Sequence, residues 1–184
     1  MRMLEEGVIT PSTSVIYPNY DENGKLGAVV LCNGKLVRVH MSPTNIVDAS
    51  LRYYGSSLRG GVDGAKTVFG DISMSPVVVS EMLDLYLFPS KSPSSDDCVW
   101  FVLANVYTYK SIGKDRTKVI LHDGTSFTIF SSYFSFTNKY QRACMLKNIL
   151  EARTAQMKLE PPLHSVSFVI DKDRTKRNYE VSDE

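Results

Sequence analysis

The sequence is poor in cysteine and histidine and has no excess of charge of either sign. Cys32, Cys98 and Cys144 are odd in number, lie far apart and include no Cys-x-x-Cys, so they suggest neither a disulfide framework nor a zinc site. They read as reduced, mostly buried thiols. His40, His122 and His164 fit no His-x-x-x-His or Glu-containing zinc pattern, and scattered histidines of this kind are surface or hydrogen-bonded residues, so no metal is expected. The apolar stretch "VWFVLANVY" at 99–107 is far too short to span a bilayer, and the opening "MRMLEEGVITPSTSVIY" lacks the basic and apolar regions of a signal peptide. A cytoplasmic protein with no membrane partner is expected. Net charge is +1 from 21 basic and 20 acidic residues, so any attraction to a polyanion must come from local clustering.

Across 184 residues, 43% are hydrophobic and 22% charged, enough to bury the core of one domain. No internal repeat or low-complexity tract appears, and the Ser- and Pro-rich "PSKSPSSDD" at 89–97 reads as a loop or linker. Asn33-Gly34 stands between two apolar runs in "GAVVLCNGKLVRVHM", which predicts a hairpin with strands near 27–32 and 35–41. Thr44 is placed to cap a short helix near 44–54, where Ile46, Val47, Leu51 and Tyr54 recur at helical spacing and Gly55 supplies the stop. "RYYGSSLRGGVDGAKT" at 52–67, with Gly55, Gly60, Gly61 and Gly64, then reads as a mobile loop, either a connector or a contact surface.

"SPVVVS", "LDLYLFP", "VWFVLANVYTYK", "TKVILHD" and "TSFTIFS" read as strands, the last two joined at Asp123-Gly124. A long C-terminal helix is predicted near 137–157, with Tyr140, Cys144, Leu146, Ile149, Leu150 and Met157 as its apolar stripe. Pro161-Pro162 prevents its continuation, "SVSFVI" predicts a further short strand, and "DKDRTKRNYEVSDE" looks solvated. The expectation is an α+β fold, mostly antiparallel sheet, over 1–170, followed by a flexible charged tail at 171–184.

The motifs for catalysis are missing. "YGSSLRGG" is neither Gly-x-Ser-x-Gly nor a Walker loop, so a nucleophile at Ser56 or Ser57 would lack visible partners, and no cofactor is expected. Basic residues gather in three places: Arg52, Arg59 and Lys66 in the glycine stretch; Lys110, Lys114, Arg116 and Lys118 in "YKSIGKDRTK"; and Lys139, Arg142, Lys147 and Arg153 on the long helix. These are candidate phosphate-contacting surfaces, although basic residues on an exposed face usually serve solubility. Tyr53, Tyr54 and Phe69 read as core residues flanking a helix end, and Asp48 as a residue that orders the local helix.

At "VHMSPTNIVDASLRYYGSSLRGG" the sequence resembles the ComK family, the competence transcription factors of Gram-positive bacteria. "DLYLFPS", "DCVWFVLANVYTYK", "DGTSFTIFSSYFSFTNKYQRACML" and "DRTK" are similar to family segments in the same order, so the resemblance spans roughly 25–177. It implies an activator of DNA-uptake genes that binds paired A·T-rich boxes of double-stranded DNA, largely through the minor groove, and self-associates on its sites. It implies no catalysis, a nucleoid location in the cytoplasm, and a proteolytic adaptor as partner. The candidate DNA contacts under it are Arg52, Arg59, Lys66, Lys114, Arg116 and Lys118, with Lys139, Arg142 and Lys147 as secondary choices. In the glycine stretch Gly61-Val62-Asp63 stands where family members place a glycine followed by a basic residue, and "FVIDKDRTK" replaces the more apolar segment used with the adaptor. Two rival readings are a non-DNA interaction module whose basic surface meets an acidic protein, and an enzyme with a pocket at the glycine stretch.

Overall fold

The sheet sequences alternate in what they face, and that alternation builds two cores on one sheet. The computed structural model describes residues 7–158, 166–170 and 179–183. Strands β1 (Thr13–Tyr20), β2 (Leu26–Cys32), β3 (Lys35–Val39), β4 (Val77–Ser80), β5 (Leu85–Pro89) and β6 (Trp100–Val102) form an antiparallel sheet in the order β3-β2-β1-β6-β5-β4. Successive side chains point to opposite faces. Ile16, Val30, Leu87 and Trp100 therefore enter one core, and their neighbours Val15, Leu31, Phe88 and Phe101 enter the other.

The first core is closed by two helices, α1 (Pro43–Tyr53) and α2 (Leu58–Phe69), through Ile46, Val47 and Leu51 with Leu58 and Val62. The second is closed by a three-stranded antiparallel sheet, β7 (Val106–Ser111), β8 (Thr117–Leu121) and β9 (Ser126–Ile129), together with α3 (Tyr133–Lys158). The α+β class expected from the sequence is the one found. Ring contacts at 5.5 and 5.6 Å set Phe136 of α3 against Phe88 and Phe101 of the large sheet. Each such aromatic pair contributes about 0.5–1.5 kcal/mol beyond its buried area.

The β2–β3 hairpin follows its sequence signal. Asn33 at φ 48° and Gly34 at φ 70° both take the left-handed conformation that a two-residue hairpin turn requires. Three other elements differ from the sequence reading. Ser42, not Thr44, caps α1: the Asn45 N–H donates to Ser42 Oγ at 3.3 Å, and Pro43 occupies the first helical position, where its missing N–H costs nothing. Thr44 is turned inward, accepting from Trp100 Nε1–H at 3.2 Å and donating to the Pro93 carbonyl at 2.7 Å. The single strand read at "VWFVLANVYTYK" is two, because a 3-10 turn at Leu103–Asn105 carries the chain from the large sheet to the small one. The long helix begins four residues earlier than its periodicity suggested, at Tyr133, and Met157 of the proposed apolar stripe is exposed.

The largest correction concerns 55–67, which is not a loop. Gly55, at φ 90°, ends α1 with the Ser56 N–H bonded to the Leu51 carbonyl at 2.7 Å, and α2 starts three residues later. Gly60, Gly61 and Gly64 each oppose a helix by about 1 kcal/mol relative to alanine. A local cap and tertiary contacts offset this. Ser57 Oγ accepts the Gly60 N–H at 3.1 Å, Asp48 Oδ1 accepts the Leu58 N–H at 2.7 Å, and Ala65 is buried. Gly61 packs against Val77, whose side chain an added Cβ would meet at 3.4 Å, an ordinary van der Waals contact.

The chain divides into two compact units, Met1–Glu151 and Ala152–Glu184. In the second unit β10 (Val166–Ile170) pairs antiparallel with β11 (Tyr179–Asp183), so part of the segment read as a solvated tail is a strand. His164, the "DRTK" segment and the rest of 171–178 lie outside the described residues.

Candidate nucleic-acid interface

Helices α1 and α2 are joined by the four residues Tyr54–Ser57 and held in register by one carboxylate. Asp48 Oδ1 accepts the first amide of α2 while Oδ2 accepts from Arg52 Nε at 2.8 Å. The hydrogen bond from Arg52, then that from the Leu58 N–H, hold the Asp48 carboxyl below its ordinary pKa. Arg52 is thus a partner of the carboxylate that satisfies the first amide of the next helix, as well as an exposed cation.

The outer face of α2 presents Arg59, Gly60, Asp63, Gly64, Lys66 and Thr67 to solvent. The Arg59 side chain is 93% exposed and lies 3.8 Å from Asp63, a distance at which an exposed pair is only a loose tether. Lys66 reaches Asp71 at 2.9 Å. An added Cβ at Gly64 would meet nothing within 4 Å, so this glycine answers no packing need.

The segment after α2 contacts α3 on its way to β4. Arg142 Nη1 donates to the Ser73 carbonyl at 3.3 Å, and Met74 shares a cleft with Lys139. Lys139 is only 4% exposed, and its ammonium donates to Ser135 Oγ at 2.7 Å. Burial pushes its pKa below the ordinary lysine value. Arg116 lies over the Phe130 ring, 4.9 Å from its centroid, and Phe130 borders the same cleft. Lys147 is differently engaged. It pairs with Asp84 at 2.6 Å and Glu151 at 3.8 Å and stands over the Tyr86 ring, tying α3 to the turn before β5.

The small sheet carries a like-charge pair. Tyr109 and Val119 turn toward α3, Tyr109 contacting the rings of Tyr133, Phe136 and Tyr140, so the alternate positions Lys110 and Lys118 share the other face. Lys110 and Lys118 are directly opposed across β7 and β8. Like charges placed this way oppose the strand pairing. Lys114 is exposed at the turn of this hairpin.

A sequence profile described as ComK protein matches residues 4–155. The chain belongs to the ComK family. It is similar to the competence transcription factor of Bacillus subtilis (strain 168), with 28% identity over 150 residues that cover 82% of this chain and 78% of that protein. No solved structure gives a significant match. The ComK match takes in both cores, the α1–α2 pair and most of α3.

ComK proteins are transcription factors rather than enzymes. In this member the Ser57 hydroxyl caps a helix, and Cys98, buried, has its thiol pushed up to about 11 by desolvation, which keeps it protonated and unreactive. Among the described residues all cysteines are free, and no cluster of three metal-ligating side chains occurs. Of the predicted cations the structure places only Lys139 in the cleft, with Arg116 over the bordering Phe130 ring and Arg142 bonded to the Ser73 carbonyl; it sets Arg59 and Lys66 on one helix face and leaves Lys147 in ion pairs. Sequence reasoning missed Lys91, which also lines the cleft, because it sat in a Ser- and Pro-rich stretch read as a linker. It also missed that Asp48 accepts the first amide of a helix ten residues away, for which no local pattern exists.

Proposed function

We propose that this ComK-family protein activates competence genes by binding paired A·T-rich boxes in double-stranded DNA, largely through the minor groove, as two or more protomers. The family membership and the similarity to a competence transcription factor support the regulatory role. The observation that carries the groove assignment is the α2 face, where a nearly free Arg59 stands beside the bare Gly60 and Gly64. An α-helix with side chains is about 10–12 Å across and the minor groove about 6 Å wide, so α2 lies over the groove and Arg59 reaches in. Narrow A-tract grooves offer enhanced negative potential to such an arginine. Lys110, Lys114, Arg116 and Lys118 supply phosphate contacts that fix position without reading sequence.

One observation favours a second geometry. Two helices joined by a short glycine-containing turn are also the arrangement that sends a second helix into the major groove. Against it, the exposed α2 face holds two glycines and few side chains able to reach base edges. Binding to A·T-rich and matched G·C-rich duplexes, with a small minor-groove ligand as competitor, separates the two. Competition is expected, and major-groove base modifications are expected to have little effect. Loss of binding on major-groove modification without ligand competition would assign α2 to the major groove.

Self-association follows from the paired boxes, since one domain of this size does not read two separated sites. Inserting about half a helical turn between the boxes is expected to abolish activation. Undiminished activation would rule out a fixed assembly. DNA binding places the protein at the nucleoid. The proteolytic adaptor implied by the family resemblance would be tested by degradation with and without residues 171–184.

A further inference from the structure

The cleft that holds Lys139 has the composition of an anion site. Its walls come from separate parts of the chain: Ser90, Lys91 and Ser92 after β5, Met74 after α2, and Phe130, Ser131, Ser132 and Ser135 around the start of α3, bordering an open cleft of about 350 Å³. Lys139 is the deepest charge there. Its side chain is almost wholly buried, and among the described residues its ammonium makes no ion pair, only the one bond to the neutral Ser135 hydroxyl. An ammonium has three donors, so two remain for a ligand. Burying a charge without a counter-charge is unfavourable, and buried charges are ordinarily paired.

The remaining groups have the same bias. α3 is 26 residues long and begins at the cleft, with Ser132 Oγ accepting the Ser135 N–H at 3.2 Å, and among the described residues the earlier amides of the first turn have no acceptor. Lys91 adds a second cation, although Asp97 already pairs with it. Asp115 brings a carboxylate to the wall, and it is exposed on the turn between β7 and β8.

We propose that this cleft seats a single phosphate group, held by the Lys139 ammonium, the Ser90–Ser92 segment and the first turn of α3. The source is a DNA backbone phosphate or free inorganic phosphate, and the assignment to DNA rests on the function proposed above. In the DNA case the seat fixes one strand beside the groove that Arg59 addresses, and it reads no sequence.

The test uses the full chain and two probes. Amide NMR shifts are followed during titration with inorganic phosphate, against sodium chloride at matched ionic strength, in wild type, Lys139→Met and Lys139→Gln. Duplex binding is measured in parallel over a range of salt. Phosphate-specific shifts at Ser90–Ser92 and at Tyr133–Ser135, absent in both variants, are the expected result. With DNA, either variant is expected to weaken binding about tenfold on all sequences alike and to lower the slope of log K against log salt by about 1. Phosphate shifts with undiminished DNA affinity would assign the seat to free phosphate and overturn the DNA source. No phosphate-specific shifts and an unchanged slope would overturn the seat itself. If wild type binds no duplex at any salt, the DNA reading fails and the phosphate titration alone decides the seat. Unfolding of one variant leaves the other, and the wild-type titration needs neither.

Discussion

Asp48 on the first helix satisfies the first amide of the second, beside the Ser57 cap: its Oδ1 accepts the Leu58 N–H at 2.7 Å, across ten residues of sequence. Replacing Asp48 by Ala is expected to cost about 1 kcal/mol, the usual net value of a hydrogen bond lost from the fold. Urea unfolding checks this. Because the folded carboxyl has a pKa below its ordinary value near 3.8, the contribution is complete above that pH and is lost as pH falls through the folded value. The stability gap between wild type and Asp48→Ala should therefore shrink in acid below about pH 4. A gap that widens in acid would contradict this role of Asp48.

Gly64→Ala should separate stability from binding. With nothing near its added Cβ, alanine is expected to stabilise α2 by about 1 kcal/mol. The same methyl stands on the face assigned to DNA, so affinity for an A·T-rich duplex should fall while thermal stability rises. Unchanged affinity in the stabilised variant would remove the reason for assigning this face to the groove.

Arg59→Lys keeps the charge and discards the planar fork. Lysine is more strongly hydrated and less suited to a narrow groove. The variant should lose preference for A·T over G·C duplexes by more than it loses affinity for either. A preference equal to wild type, measured by competition, would place the groove contact elsewhere.

Arg116→Ala with Lys118→Ala should act differently. These are assigned to phosphates, so affinity should fall similarly for every sequence and the salt slope should drop. Removing Lys118 also relieves its opposition to Lys110 across β7 and β8, so stability in the absence of DNA should not fall from that loss of charge. A sequence-dependent loss would turn the hairpin into a reading element.

Thr44→Val tests the core rather than the interface. Trp100 is fully buried, and its indole N–H has Thr44 Oγ1 as acceptor. Losing that acceptor is expected to cost about 1–3 kcal/mol, with DNA contacts left in place. Calorimetric unfolding reads the change, and a variant as stable as wild type would show that Trp100 is satisfied without it.

Short-range chemistry in the sequence determined most strands, though not β1, β11 or the break between β6 and β7, and it determined the turns at Asn33-Gly34 and Asp123-Gly124, the stop at Gly55 and the long C-terminal helix, because alternation, turn residues and helical periodicity act between near neighbours. The basic clusters were equally legible as composition. Tertiary structure alone decided that 58–69 is a helix, since its glycines argue against one and the compensating groups, Asp48 and the packing against Val77, lie elsewhere in the chain. It also decided which cations are available. Lys139, Lys147 and Arg59 look alike in sequence, yet one is enclosed, one is paired with Asp84 and one stands nearly free, because burial and ion pairing depend on what distant segments bring alongside.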